Sequence, residues 1–130
     1  MDLAWVRQHV RQAAAALGFS LVEQTKLVTA ASELARNTLV YGGGGEVETM
    51  HVAEGRVQGL RLVFSDQGPG IADVERALSD GFTSGGGLGM GLGGAKRLVH
   101  DFAIESTPGA GTTVTVTSWA ARPPRQREEV

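Results

Sequence analysis

Two clusters of glycine lie on either side of a predicted short helix in the second half of this sequence. The first cluster, Gly68 and Gly70, follows Asp66, and the second spans residues 85–94. Glycine lets the backbone come close to a ligand and turn its N–H groups towards phosphate oxygens, which other residues allow less freely. The two clusters together therefore predict a nucleotide-binding site.

The common glycine-rich phosphate motifs do not fit this pattern. Residues 89–94 match GxGxxG, but they follow a glycine loop and not the buried strand on which that motif depends. A P-loop does not fit because Ala95 precedes Lys96 where a glycine is needed, and Arg97 replaces the magnesium-binding Ser or Thr. We expect instead a glycine-rich lid that runs into a helix start at residues 92–95, where unpaired N–H groups and the helix dipole favour a triphosphate.

Three polar side chains outside the glycine clusters could complete such a site. Glu33 and Asn37 are four residues apart on a predicted helix, so they share one face. The amide oxygen of Asn37 could help to hold Mg²⁺, and Glu33 could accept the proton of an attacking hydroxyl or water. Asp66, at a predicted strand end, could accept a hydrogen bond from an exocyclic amine such as that of adenine, with Gly68 and Gly70 leaving room for the ring.

Each of these residues also has a plainer interpretation. Glu33 and Asn37 alone would be a solvated helix face, and Asp66 before Gln-Gly-Pro would be a turn residue. The glycine run at 42–45 is interpreted as a flexible connection without a ligand role. Arg36 could form a structural ion pair, contact a partner or act in catalysis. The lid hydroxyls of Thr83 and Ser84 could touch phosphate, and Lys96 or Arg97 could reach the γ-phosphate. These residues rank below the main candidates because surface charge is the more common role of such side chains.

Composition limits the classes of function that need to be considered. The chain has 130 residues, no cysteine, a net charge of -2 and a pI of about 5.9. These values exclude disulfides and cysteine-based zinc sites, and they give no basic field for nucleic acid. No segment has the apolar length of a membrane helix or a secretory signal, so we expect a soluble cytoplasmic protein without a membrane or nucleic-acid partner.

Periodicity predicts the elements that must position these residues. Apolar residues repeat at helical spacing in two N-terminal segments, whereas later segments alternate as strands do. Because strands do not alternate with helices, we expect an α+β two-layer sandwich with a mostly antiparallel sheet, as one domain over residues 1–120 with a disordered tail at 121–130. The predicted helices are 2–17, capped by Asp2, then 20–41, 74–78 and 92–100, and the predicted hairpins are 46–53 with 59–65 and 101–107 with 112–119.

Four motifs in this order resemble those of the GHKL superfamily of ATPases and kinases. Glu33xxxAsn37 resembles the N box, residues 66–71 the G1 box, residues 87–92 the G2 box, and residues 109–112 the later Gly-x-Gly-Thr element. The resemblance implies the Bergerat fold, ATP with Mg²⁺, a catalytic base at Glu33, magnesium at Asn37 and an adenine contact at Asp66 supported by Thr112. The nucleotide contacts that it implies are Asn37, Asp66, Gly68, Gly70, Ile71, Gly85, Gly86, Gly87, Leu88, Gly89, Met90, Gly91, Leu92 and Thr112.

Within this superfamily the sequence is most similar to RsbT-type switch kinases of the stressosome. The similar segments are residues 32–37, 80–82, 86–92 and 96–98. This resemblance implies phosphorylation of Ser or Thr on STAS-domain scaffold or antagonist proteins, followed by activation of a PP2C-type phosphatase. Two alternatives stay open: an anti-sigma factor or nucleotide-gated module that sequesters a sigma factor or phosphatase with little phosphotransfer, and a stand-alone ATPase domain of a histidine kinase.

Overall fold

The computed structural model describes residues 2–79 and 91–120, and its first two elements are antiparallel helices. Helix α1 spans Leu3–Ala16, and the side chain of Asp2 accepts hydrogen bonds from the first backbone N–H groups of the helix. Helix α2 spans Leu21–Val40 and begins with a reciprocal capping box between Ser20 and Glu23. Both helices and both caps confirm the sequence predictions, because they depend on residues close to each other in the chain.

A four-stranded antiparallel sheet follows the two helices. Its strands are β1 (Gly45–Glu54), β2 (Val57–Asp66), β3 (Asp101–Thr107) and β4 (Gly111–Trp119), in the spatial order β1-β2-β4-β3. Both predicted hairpins are present, and β2 pairs with β4 to join them. This central pairing places the end of β2 beside the start of β4, with Asp66 opposite Thr112.

Two short helices connect the hairpins around the end of the sheet. Helix α3 spans Val74–Ala77, and helix α4 spans Gly91–Arg97. We predicted that the latter would continue to His100, but it stops three residues earlier. The reason is a long-range contact: the backbone N–H of His100 donates to the carbonyl of Thr117, and its ring Nδ1 accepts from the backbone N–H of Trp119. The predicted loop at 81–87 and the predicted tail at 121–130 lie outside the described residues.

The core lies between the helices and one face of the sheet. Alternate residues of β2 and β4 point towards α1 and α2, and the largest fully buried side chains include Leu27 and Leu34 of α2, Leu62 and Phe64 of β2, and Val116 of β4. Helices on one side of an antiparallel sheet form the α+β two-layer sandwich that the sequence predicted. No helix within residues 2–79 and 91–120 combines the length and apolar character needed to cross a membrane.

Candidate functional site

A cavity of about 420 Å³ lies between the second half of α2 and the end of the sheet where β2 stops. Its wall is built from α2, the turn after β2, the first residues of α4 and the start of β4, which are distant in sequence. The fold therefore brings together most of the residues predicted to bind a nucleotide. Those that line the cavity are Glu33, Asn37, Asp66, Gly70, Ile71, Gly91, Leu92 and Thr112.

Gly68 lies beside the cavity and is not among its lining residues. We predicted that it would leave room for a ring, but its missing side chain makes room for the backbone of Gly42, since a Cβ on Gly68 would lie 2.7 Å from the Gly42 Cα. Lys96 and Arg97 are exposed and are also not among the lining residues. The predicted ligands Gly85, Gly86, Gly87, Leu88, Gly89 and Met90, and the lid hydroxyls of Thr83 and Ser84, lie outside the described residues.

Glu33 is held by two contacts to the same carboxylate oxygen. Its Oε2 accepts a hydrogen bond of 3.2 Å from the backbone N–H of Gly91, and it lies 3.7 Å from Nη1 of Arg36. The Glu33 side chain is only 13% exposed, whereas that of Arg36 is 40% exposed at the cavity rim. The ion pair predicted as one option for Arg36 is therefore present, and it meets the same carboxylate oxygen of Glu33 as the Gly91 N–H does at the cavity wall.

Asp66 combines a turn role with a place in the cavity wall. Its Oδ1 accepts a hydrogen bond of 2.9 Å from the backbone N–H of Gly68, which is the local turn that the plainer interpretation predicted. The same side chain lines the cavity opposite Thr112 of β4. The turn thus fixes one carboxylate oxygen of Asp66 and orients the side chain at the cavity wall.

The structure also gives a site role to a glycine that we had interpreted as part of a flexible connection. Gly42 lines the cavity and packs directly on Asp66, because a Cβ on Gly42 would lie 2.4 Å from the Asp66 Cγ. Its N–H donates to the carbonyl of Asn37, so the segment is hydrogen-bonded to the end of α2. The interpretation of residues 42–45 as a mere connection is therefore wrong for Gly42. No local pattern indicated this contact, because it depends on a residue 24 positions away.

Several further cavity residues were not singled out from the sequence. Tyr41 caps the end of α2 four residues after Asn37, a spacing that places it on the side of the helix where Asn37 lies and that could have identified it. The others come from α2, from strands β2 and β4, and from the turn and short helix that follow β2, where nothing in the local sequence distinguishes a cavity residue from a capping or packing residue. They are Leu34, Thr38, Phe64, Pro69, Ala72, Asp73, Arg76, Ala77 and Val114.

Comparison with known proteins identifies the family to which the chain belongs. Residues 22–122 match the sequence profile of the family described as histidine kinase-, DNA gyrase B-, and HSP90-like ATPase. The chain belongs to this ATPase family. Membership confirms the predicted GHKL assignment and the use of ATP, and it agrees with the two-layer architecture.

Individual members of the ATPase family resemble the chain over most of its length. The chain is 43% identical over 118 residues to serine/threonine-protein kinase RsbT of Bacillus subtilis, covering 91% of this chain and 89% of the relative. It is 28% identical over 121 residues to an anti-sigma F factor of Thermoanaerobacter sp. (strain X514), covering 89% and 84%. Among solved structures, a mycobacterial sensor histidine kinase, MprB, matches with a TM-score of 0.56 and 25% identity over 74% of this chain and 71% of that chain.

Proposed function

We propose that this member of the ATPase family is an ATP-dependent serine/threonine protein kinase that regulates its targets by partner switching. The observation that carries the proposal is the cavity that places Glu33 and Asn37 beside Asp66, in a chain 43% identical over 91% of its length to a serine/threonine-protein kinase. Transfer of a phosphoryl group from ATP needs a group that accepts a proton, a ligand for the metal ion and a contact that holds the nucleotide. Glu33, Asn37 and Asp66 are the residues of this cavity that we propose for these three roles.

Glu33 is the proposed general base. It accepts the proton of the acceptor hydroxyl while the hydroxyl oxygen forms a bond to the γ-phosphorus and the bond from that phosphorus to the bridging oxygen of ADP breaks. The contacts from Gly91 and Arg36 orient the carboxylate for this task. Positioning of the base matters because the transferred phosphoryl group needs little covalent chemistry from the protein.

Asn37 is the proposed protein ligand of Mg²⁺. Within the described residues no group of three or more His, Cys, Asp or Glu side chains could hold a metal ion, which excludes a metal site built from such a cluster in those residues. Mg²⁺ bound with a nucleotide needs few protein ligands, because phosphate oxygens and water complete its octahedron. One amide oxygen in the cavity wall fits this requirement, and the bound ion would neutralise charge on the phosphates.

The base of the nucleotide is assigned to the end of the cavity where β2 meets β4. Asp66 accepts a hydrogen bond from the exocyclic amine of adenine, and Thr112 supports the aspartate from the neighbouring strand. The remaining contacts proposed for the ring and the triphosphate are Gly70, Ile71 and residues 85–92, whereas Gly68 packs on the backbone of Gly42 beside the cavity. Together these residues form the ATP-binding kinase domain that we assign to residues 1–120.

The protein partner is assigned by resemblance to the switch kinases. We propose that the phosphoacceptor is a Ser or Thr on a STAS-domain scaffold or antagonist protein, and that the released kinase then engages a PP2C-type phosphatase. Two relatives keep other functions open to test: anti-sigma F factors, whose name indicates action on a sigma factor, and the sensor histidine kinase MprB.

A transfer assay with γ-labelled ATP separates the three functions. The purified chain is incubated with a STAS-domain protein, and the labelled product is treated with acid before electrophoresis. A phosphoester on Ser or Thr survives the acid and supports the proposed kinase, whereas an acid-labile phosphohistidine would identify a histidine kinase. Stable ATP-dependent complex formation with a sigma factor, without label on any partner, would identify a sequestering module instead.

A further inference from the structure

Ser106 of β3 is the centre of a hydrogen-bond network at one end of the cavity. Its Oγ accepts a hydrogen bond of 2.7 Å from the backbone N–H of Ile71, lies 2.8 Å from Oγ1 of Thr112, and donates to the carbonyl of Gly111 at 3.2 Å. One half-buried hydroxyl thus joins the turn after β2 to the start of β4.

The network lies directly behind the residues assigned to the base of the nucleotide. Ser106 is opposite Thr112 in the β3–β4 pairing, and Thr112 is opposite Asp66 in the β2–β4 pairing. Thr112, Asp66 and Ile71 all line the cavity, but Ser106 is not among its lining residues. Ser106 can therefore act on a bound nucleotide only through the residues that it holds.

The hydroxyl of Ser106 has the capacity that these contacts need and no more. A serine hydroxyl has one proton to donate and two lone pairs to accept with. The N–H of Ile71 uses one lone pair, and the remaining proton and lone pair face Gly111 and Thr112. When Ser106 donates to the carbonyl of Gly111, the hydroxyl of Thr112 can donate to the free lone pair of Ser106; when Ser106 donates to Thr112, the threonine oxygen accepts. Either arrangement holds the threonine hydroxyl beside Ser106 at the cavity wall.

The turn after β2 also depends on this contact for its position. Gly70 has a φ of 77°, and a Cβ on it would lie 2.3 Å from the carbonyl oxygen of Thr107, so the turn lies directly against the end of β3. The N–H of Gly109 donates to the carbonyl of Pro69 at 2.7 Å on the same side. Ser106 adds the hydrogen bond that fixes Ile71, the next cavity residue along the turn.

We propose that Ser106 is a positioning residue for recognition of the adenine base, because it forms hydrogen bonds with the hydroxyl of Thr112 and with the backbone N–H of Ile71. The inference rests on the proposed function, because it requires a nucleotide whose base lies at Asp66 and Thr112. Ser106 should increase the affinity for ATP relative to GTP, and it should take no part in the transfer of the phosphoryl group.

The test compares the affinities of the full chain for Mg-ATP and Mg-GTP by calorimetry, in the parent and in three variants. Ser106→Ala removes the hydroxyl, and Ser106→Thr retains it. Thr113→Ala is the matched control, because Thr113 is next to Thr112 on β4 and alternation turns its side chain to the other face of the sheet. Thermal unfolding of each variant checks that it is folded.

We expect Ser106→Ala to weaken ATP binding about tenfold, equivalent to about 1.4 kcal/mol, while GTP binding changes by less than about twofold. The ratio of ATP to GTP affinity should fall accordingly, the turnover at saturating ATP should be unchanged, and Ser106→Thr and Thr113→Ala should retain the parent ratio. Equal weakening of both nucleotides, or no change in the ratio, would overturn the positioning role while leaving the proposed function intact. A parent chain that binds neither nucleotide would overturn both.

Discussion

At the scale of single residues, Glu33 carries the largest part of the proposed chemistry. Replacing it by Gln keeps the size of the side chain and removes the ability to accept a proton. We expect Glu33→Gln to reduce phosphoryl transfer about 100-fold or more, since a positioned general base contributes about 10² to 10⁴. The measurement is the rate of label transfer from ATP to the partner, together with the affinity for ATP, which should change by no more than about twofold.

The control for this variant is Glu48→Gln. Glu48 is a residue of β1 and is not among the cavity residues, so the same chemical change there should leave the transfer rate at the parent value. Transfer by Glu33→Gln at the parent rate would show that another group accepts the proton.

The proposed role of Asn37 predicts a change in the Mg²⁺ concentration that phosphoryl transfer requires. Asn37→Ala removes the proposed oxygen ligand, so the Mg²⁺ concentration that gives half-maximal transfer should rise about tenfold, as is typical when a metal site loses a ligand or a supporting group. Asn37→Asp keeps an oxygen in the same place and should require less Mg²⁺ than Asn37→Ala. A magnesium titration of both variants measures this difference, and identical curves for Asn37→Ala and the parent would contradict the assignment.

The pairing of Glu33 with Asn37 was predictable from the sequence, because residues four apart on a helix always share a face. The contact between Glu33 and Gly91 was not, because it joins positions 58 residues apart, and only the packing of α4 near α2 brings them together. The same distinction explains why Tyr41 could have been found by its spacing and Gly42 could not.

At the scale of elements, the segment that joins α2 to β1 has a definite place in the site. Gly42 packs on Asp66, so Gly42→Ala should displace the aspartate and weaken ATP binding by about tenfold or more, because the displaced group can no longer meet the base in the required geometry. Calorimetry with Mg-ATP measures the loss.

Gly43→Ala provides the matched comparison for that variant. Gly43 has a φ of 74°, and among the described residues no atom beyond Gly43 and its two chain neighbours lies within 4 Å of the position of an alanine methyl group, so alanine there strains the backbone without touching Asp66. Both variants should lower the thermal midpoint, but only Gly42→Ala should reduce ATP affinity. Equal losses of affinity in the two variants would indicate that general destabilisation, and not displacement of Asp66, is responsible.

The elements themselves were predictable where their causes are local. Helix α1 is capped by Asp2, and α2 begins with the Ser20 and Glu23 capping box, so the sequence alone located both starts. The end of α4 was placed three residues too late, because the contacts of His100 with β4 are made across the fold. Local periodicity contains no information about such a contact.

At the scale of the whole molecule, the pairing of β2 with β4 creates the site. Each hairpin could be recognised from the alternation of apolar and polar residues in its strands and from its turn. The pairing of the two hairpins could not, because it joins residues about fifty positions apart in the sequence. That pairing places Asp66 opposite Thr112 and closes one end of the cavity beneath α2. The sequence motifs were sufficient to predict the ligand class, whereas the cavity that unites them is a property of the assembled sheet and helices.

Binding of ATP in this cavity, with the adenine at Asp66, can be measured by calorimetry with Mg-ATP on the parent chain and two variants. In Asp66→Asn the side-chain oxygen can still accept the Gly68 N–H, while the other atom becomes an NH₂ group that cannot accept from adenine. Asp2→Asn is the control, since asparagine caps a helix as well as aspartate does. We expect saturable binding by the parent and by Asp2→Asn, and at least about a tenfold loss of affinity in Asp66→Asn, because the site then loses a required hydrogen-bond acceptor. Unchanged affinity in Asp66→Asn, or no binding by the parent at millimolar ATP, would contradict the placement of adenine at Asp66.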